Sequence, residues 1–376
     1  MQFSEEIEAF RETVRRIGED HVAPIVADLE RTDRFPHELV EVFGDAGLLQ
    51  LWLPEEYGGP GGNLTLVCIA KEELAKFSLA ASTLCANNSI SFVLPILNFG
   101  SEEQKARWLP EAAKGRLVSA IGMTEPQAGS DVMSMKTRAV RDGDSYVING
   151  QKIWITWGGD ADYVLLFAKT GERAITPFIV DTKTPGFQRG RQEHKLGRHG
   201  SPSYELYFED MRVPADCRLG EEGQGFKACM NILDLNRPTI AASSLGLAQG
   251  ALDYALQYSK QRHQFGRPIA DFQGMQFKLA DMAIQTEAAR NMLYSVAQEI
   301  DSGDHSRLNL MASMAKCFVT DVAMNVTIEG VQVLGGYGYS TEYPMERYMR
   351  DAKVNQIIEG TNEIHRMIVA RRMLAD

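Results

Sequence analysis

Beginning at Ser4, the apolar residues Ile7, Phe10, Val14 and Ile17 recur at three- and four-residue steps. That spacing lines one face of a helix, with Ser4 placed to cap it. Helical stretches continue to about residue 117, interrupted by the turn-rich PEEYGGPGGN of residues 54–63. The pattern then changes. Val140, Tyr146, Ile148, Ile153 and Ile155, the run YVLLFA and the alternating Tyr204, Leu206 and Phe208 favour strands. Asp142-Gly143-Asp144 and Asn149-Gly150 supply the turns between them. From about residue 227 the helical period returns in long segments, with Pro238 suited to a first helical turn. Gly335, Gly336 and Gly338 mark a break before the last helix. The chain therefore reads as a multidomain α+β protein: helices over 1–117, a β-domain over 118–226 and helices over 227–376.

Composition narrows the function. The chain has 376 residues, 44% of them hydrophobic and 24% charged, which suits a large folded core. Its formal charge of -11 would repel a phosphate backbone, so nucleic acid is not an expected partner. The five cysteines, Cys68, Cys85, Cys217, Cys229 and Cys317, include no Cys-x-x-Cys pair and read as buried thiols in a reducing compartment. The start, MQFSEEIEAF, is acidic and amphipathic, unlike a secretory or transit peptide, and the expected location is cytoplasmic, or the mitochondrial matrix if a transit peptide has been removed. The longest apolar stretch, around ISFVLPIL, is short for a bilayer and contains Pro95, so no membrane span is expected. Seven histidines without an H-E-x-x-H pattern suggest no metal site, and no G-x-S-x-G elbow suggests a serine nucleophile.

Five stretches remain as candidates for chemistry. Gly223 to Ala228 fits the loose pattern G-x-G-x-x-A, but it follows a loop and not a buried strand, so a linker entering a helix accounts for it better than a dinucleotide fold. QVLGGYGY, residues 332–339, is either a helix-breaking turn or a place where glycine lets the backbone approach a bulky ligand. GMTEPQAGSD, residues 122–131, is an ordinary polar turn or a set of amides and hydroxyls able to hold a polar heterocycle or phosphate. In KIWITWGG, residues 152–159, a period of two places Trp154 and Thr156 on one face of a strand, for stacking on a flat cofactor or for the core. In QIIEGTNEIHR, residues 356–366, Ile357 and Ile358 lead into Glu359. A carboxylate in an apolar cavity has a raised pKa and becomes a base; at the surface near a helix N-terminus it is merely well placed.

Together with PEEYGG, NNSISFVLPILNFGSEEQKARWLP, LGEEGQGF and RHQFGRPIADFQGMQFKLADMA, these motifs stand in the order and spacing of the acyl-CoA dehydrogenase family. The chain resembles that family along nearly its whole length. The resemblance implies an N-terminal all-α domain, a middle β-barrel or sandwich domain and a C-terminal four-helix bundle, holding FAD non-covalently. It implies removal of an α-proton from a fatty acyl-CoA thioester by Glu359, with the β-hydrogen leaving as hydride for the flavin and trans-2-enoyl-CoA as product. The Glu359 backbone N–H would polarise the thioester oxygen, and Gly360 would leave the thioester room. Some relatives carry the base at the place of Asn236, which takes no proton here.

By the same resemblance, Met123, Thr124, Ser130, Trp154, Thr156, Thr361 and Glu363 contact the flavin of their own subunit. Arg262, Phe265, Gln273, Gln332, Gly335 and Gly336 grip the FAD of a neighbouring subunit, implying a dimer doubled to a homotetramer. Ser130, Asp234 and Arg237 line the CoA side, and Ser82, Ala86 and Ile90, on one helix, border the acyl end of a short, medium or branched chain. Trp157 and Ile121 depart from the family pattern near the flavin. Electron-transferring flavoprotein is the implied acceptor; an acyl-CoA oxidase, another flavoenzyme of the superfamily and a non-catalytic binding subunit are the alternatives.

Overall fold

The computed structural model describes residues 3–375. Helices occupy the chain up to Ala113: α1 (Glu5–Ile17), α2 (Val26–Thr32), α3 (His37–Asp45), α4 (Leu64–Ala75), α5 (Leu79–Leu84), α6 (Leu94–Phe99) and α7 (Glu102–Ala113). Ser4 caps α1 as the pattern predicts, its Oγ accepting the Ile7 N–H at 3.4 Å. The stretch bearing Ser82, Ala86 and Ile90 is not one helix. Helix α5 stops at Leu84, Ala86 takes a left-handed φ of 56° while its N–H bonds Leu48, and a wide π-turn over Ser89–Val93 restarts the coil into α6.

Strands follow: β1 (Ser119–Gly122), β2 (Arg138–Asp142), β3 (Ser145–Thr156), β4 (Tyr163–Lys169), β5 (Ile175–Asp181), β6 (Phe187–Gln192) and β7 (Ser203–Pro214). They form one sheet in the order β1-β4-β2-β3-β7-β6, with β5 paired to β4. The Asp142–Ser145 turn joins β2 and β3 as an antiparallel hairpin, and β3 runs antiparallel to β7 with register shifts at Ile148/Gly150 and Lys152/Ile155. The second shift is a bulge that positions the candidate site.

Helices return with α8 (Gly225–Gln261), which leads through a two-stranded hairpin, β8 (His263–Gln264) and β9 (Arg267–Pro268), into α9 (Gln273–Asp301) and α10 (Leu308–Leu334). Pro238 lies well inside α8 and not in its first turn, because the helix already begins in the GQGF loop. Gly225 starts it where a Cβ would meet the Ile175 carbonyl oxygen at 2.5 Å, so the linker can press against β5 only as glycine. The Gly335–Tyr339 break is followed by two helices and not one, α11 (Met345–Asn355) and α12 (Asn362–Leu374), with Glu359 between them.

Helix α4 runs through the middle of the fold with eleven of its twelve residues buried, among them Lys71, Glu72 and Glu73. Buried charges persist only when paired. Glu73 takes Arg11 at 3.0 Å, Arg15 at 3.3 Å and Lys76 at 2.8 Å, while Glu72 binds Arg290 of α9 and the Tyr294 hydroxyl. This network ties α1 and α9 to α4. By length and composition two stretches, Leu79–Phe99 and Leu308–Tyr339, are apolar enough to cross a bilayer, a test that buried core helices also pass. The first is 89% buried, so core packing explains its composition. Replacing Glu72 with alanine leaves Arg290 without its buried partner and should cost about 3–5 kcal/mol in urea unfolding. The exposed Glu12→Ala change should cost under ~1 kcal/mol.

Candidate active site

The turn from Gln356 to Thr361 carries Glu359, and α10 holds it from below. Lys316, wholly buried, donates to the Gly360 carbonyl at 2.8 Å and to Asn362 Oδ1 at 2.9 Å. The Asn362 amide donates in turn to Thr320 Oγ1 at 2.9 Å and Asp321 Oδ1 at 2.7 Å, and its N–H returns to the Gln356 carbonyl at 3.0 Å. Thr361 caps α12 by accepting the Ile364 N–H. So fastened, Glu359 adopts a left-handed φ of 54°, a conformation that costs a side-chain-bearing residue energy and that surrounding structure must impose.

Glu359 keeps some accessible surface yet lies deep within the fold. Burial raises its carboxyl above the ordinary range, against the Asn236 amide and then the cations Arg237, Lys316 and Arg198, which favour the ionised form. Its Oε2 is buried and unpartnered. Among the described residues no acceptor takes the Glu359 N–H, which stays free to donate. Arg237 is bound to Asp234, itself fixed by Asn309 at 2.9 Å.

His365 escaped sequence reasoning. It is fully buried on α12, both ring nitrogens lack partners, and burial followed by the charges of Lys316 and Arg237 pushes its pKa down to about 3, keeping the ring neutral. At Gly360, φ is 92° and a Cβ would meet His365 Nε2 at 3.2 Å. Glycine is therefore required by the turn and by the imidazole, beyond any need of a ligand.

The sheet reaches the same region: Met123 Sδ lies 3.4 Å from Cys229 Sγ, a thiol on which the Glu359 charge acts. The bulge turns Trp154 outward, with φ 59° and 52% of its surface exposed, beside the half-buried Thr156. Met123 and Thr124 sit against this strand: the Ile153 N–H bonds the Thr124 carbonyl at 2.9 Å and Lys152 Nζ bonds the Met123 carbonyl at 3.0 Å. Lys152, fully buried, also pairs with Glu125 at 2.8 Å. Burial would raise the Glu125 carboxyl, but Lys152, Thr137 and the Lys136 N–H outweigh it and bring it down to about 2. Both residues lie in motifs that drew notice, yet nothing in the sequence marks them as partners. Ser130 is exposed at the end of the same loop. Trp157 does not turn outward with Trp154: it is buried, φ 57°, with its ring edge-on to Phe35 at 5.5 Å. Ile121, on β1, is half-buried.

The remaining candidates divide. Arg262 stacks 5.6 Å from the Tyr337 ring, bringing the end of α8 to the 335–339 turn, where Gly335 and Gly336 are open. Phe265 projects from the hairpin, 93% exposed with φ 51°, near exposed Gln273; Gln332 is exposed on α10. Glu363 is exposed in the first turn of α12. Ser82, Ala86 and Ile90, in contrast, are packed inside, at 0%, 1% and 6% exposure, and Ser82 spends its hydroxyl on Ser243 at 2.8 Å and the Lys71 carbonyl. On this stretch the accessible side chains are Thr83 and Asn87, one position further on.

Models of the N-terminal, middle and C-terminal domains of acyl-CoA dehydrogenases match residues 4–116, 120–211 and 223–374. The chain belongs to the acyl-CoA dehydrogenase family. The dehydrogenase is 44% identical over 374 residues to the probable acyl-CoA dehydrogenase FadE25 of Mycobacterium tuberculosis, covering 98% of this chain and 96% of that one. Its fold matches butyryl-CoA dehydrogenase of Megasphaera elsdenii with a TM-score of 0.96 at 41% identity, over 100% of this chain and 99% of that one. A chain from a structure concerning the electron-transferring flavoprotein of Acidaminococcus fermentans and flavin-based bifurcation matches at 0.97 and 42% identity, over the whole of both.

The enzyme is an oxidoreductase acting on CH–CH groups, and its cofactor is FAD. The residues fit a flat cofactor: an outward-turned tryptophan and a half-buried threonine at the end of β3, beside a loop locked in place by a buried ion pair.

Two outcomes follow from this geometry. Lys152→Met strands Glu125 and should lose about 3–5 kcal/mol of stability, with less FAD absorbance per subunit after purification. A carboxylate works as a base only when ionised, and the pKa of Glu359 is raised, so if Glu359 takes the proton kcat/KM should rise with pH through an acid limb above the ~4.3 of an unperturbed glutamate. Pre-steady-state flavin bleaching across pH measures it.

Proposed function

We propose that the dehydrogenase oxidises a short-chain acyl-CoA to the trans-2-enoyl-CoA, with Glu359 as the α-proton base. The observation that carries this reading is the desolvated Glu359 carboxylate, its Oε2 unpartnered, with its own N–H free beside it. A carboxylate cannot deprotonate an ordinary acyl α-carbon, so the thioester carbonyl must be polarised in the same step. The Glu359 N–H is suited to donate to that oxygen, stabilising enolate-like charge as an oxyanion hole does. Arg237, Lys316 and Arg198 keep the carboxylate ionised before reaction, while burial keeps it basic. FAD, when bound, accepts the β-hydrogen as hydride. Trp154, Thr156, Met123 and Thr124 would hold its ring system, with Ser130, Thr361 and Glu363 at the margins, and Asp234 and Arg237 would face the CoA side.

The short-chain preference rests on the likeness to butyryl-CoA dehydrogenase, and transfer of electrons to an electron-transferring flavoprotein rests on the likeness to the Acidaminococcus chain. Arg262, Phe265, Gln273, Gln332, Gly335 and Gly336 would grip the FAD of a second copy, which explains a phenylalanine left 93% exposed. A dimer, doubled to a tetramer, working in the cytoplasm completes the reading.

Glu359→Gln should purify yellow and lose more than ~100-fold in rate with butyryl-CoA, the scale of a general base. Turnover near that of the native enzyme would remove Glu359 from the role. The pair Arg262→Ala and Phe265→Ala should release FAD on gel filtration, and full flavin content in that double variant would overturn the cross-subunit grip.

A further inference from the structure

Arg198, one of the cations acting on Glu359, has hydrogen-bond donors that this role leaves unused. Arg198 sits in the loop between β6 and β7 with a left-handed φ of 57°, its guanidinium turned into the protein. Like Glu359 it keeps some accessible surface while lying deep in the fold, and the two charges act on each other. Glu359 is the first of its favourable charge partners, ahead of Asp351. Asp351 is engaged elsewhere, its carboxylate accepting the Arg198 backbone N–H at 2.5 Å. The guanidinium makes one hydrogen bond, from Nη2 to Thr83 Oγ1 at 3.2 Å, and its Nε is buried with no partner. Among the described residues it has no ion-pair carboxylate.

Lys71 gives the contrast. It is a buried cation in the same region, but its ammonium binds the carbonyls of Ser82 and Cys85 at 2.7 and 3.3 Å, at the C-terminal end of α5 where a positive charge is favoured. Lys71 is thus accounted for by the fold, and Arg198 is not. An arginine cannot shed its proton to escape burial; even with burial lowering it, its pKa stays at about 10. A charged guanidinium with unused donors, held out of water, is destabilising unless a ligand completes it. Its fork of donors matches a carboxylate.

We propose that Arg198, steadied by Thr83, is a specificity residue that binds an anionic group at the end of the acyl chain away from the thioester. The substrate class that fits is the CoA monothioester of a short dicarboxylic acid. The inference rests on Glu359 being the base and deepens that reading: the same α-proton and β-hydrogen leave, and the remote carboxylate takes no part in the bonds broken. Thr83 is the residue through which α5 meets this group, which agrees with its accessibility where Ser82 and Ala86 are packed away.

The test is anaerobic flavin bleaching and steady-state kinetics of the holoenzyme with glutaryl- and adipyl-CoA beside butyryl- and hexanoyl-CoA. The native enzyme should favour the dicarboxylic thioesters. In Arg198→Met the ratio of kcat/KM for dicarboxylic over neutral thioesters should fall on the order of 100-fold, the scale for stranding one member of a buried charge pair. Thr83→Val should lower it in the same direction by less, and serves if the arginine variant does not fold. Bleaching by neutral thioesters alone would overturn this inference and leave the base assignment standing. Equal losses on both classes, with the acid limb of the pH profile displaced, would make Arg198 a partner of Glu359 only and also overturn it. Failure of every acyl-CoA to bleach the flavin would overturn both readings.

Discussion

One buried ammonium sets the geometry of the site. Lys316 of α10, sealed from water, donates to the Gly360 carbonyl and the Asn362 side chain together and so ties the 356–361 turn to the helix. The turn is consequently held in a left-handed conformation that a side-chain-bearing residue such as Glu359 would not choose. The position of Glu359, the proposed base, depends on a helix to which no reacting group is assigned.

The same logic recurs across the molecule. Among the described residues eight non-glycine positions have positive φ: Asp33, Ala86, Trp154, Trp157, Arg198, Asp210, Phe265 and Glu359. Trp154, Arg198 and Glu359 belong to the candidate site, Ala86 breaks the helical stretch alongside Thr83, and Phe265 projects from the hairpin. Strain of this kind, about 1–3 kcal/mol each, persists where packing over-determines the backbone. Lys152–Glu125 beneath the Met123–Thr124 loop, and Lys316 beneath Glu359, are that packing.

Much of this was legible in the sequence where a local rule governs. Ser4 capped its helix, the Asp142–Ser145 turn closed its hairpin, and the GQGF loop entered a helix without a dinucleotide strand before it. The order α, β, α followed from the period of apolar residues alone. Failures came where a long-range contact overrode period. Ser82, Ala86 and Ile90 share a face only if the helix is continuous, and the bond from the Ala86 N–H to the Leu48 carbonyl ends that continuity. Trp157 follows Trp154 and Thr156 in sequence, but its own left-handed turn points it at Phe35. His365 and Arg198 carry no motif: each matters because distant segments bury it, and burial cannot be read from spacing.

The electrostatics of the cleft run against the protein as a whole. The chain carries a formal charge of -11, yet the charges acting most strongly on Glu359 are Arg237, Lys316 and Arg198, drawn from α8, α10 and the β6–β7 loop. Three cations around one carboxylate have opposite effects on its two tasks. They hold it ionised, which supplies the base, and they lower its basicity, which weakens it. Burial restores the basicity, and His365, kept neutral, adds no fourth charge. The surplus of positive charge also favours what forms next, since an enolate-like thioester places negative charge beside a base that has just lost its own. An acidic lining would raise the pKa of Glu359 further but would repel the negative charge of an enolate-like thioester, whereas in the proposed reaction these cations would favour that charge as well as the ionised carboxylate.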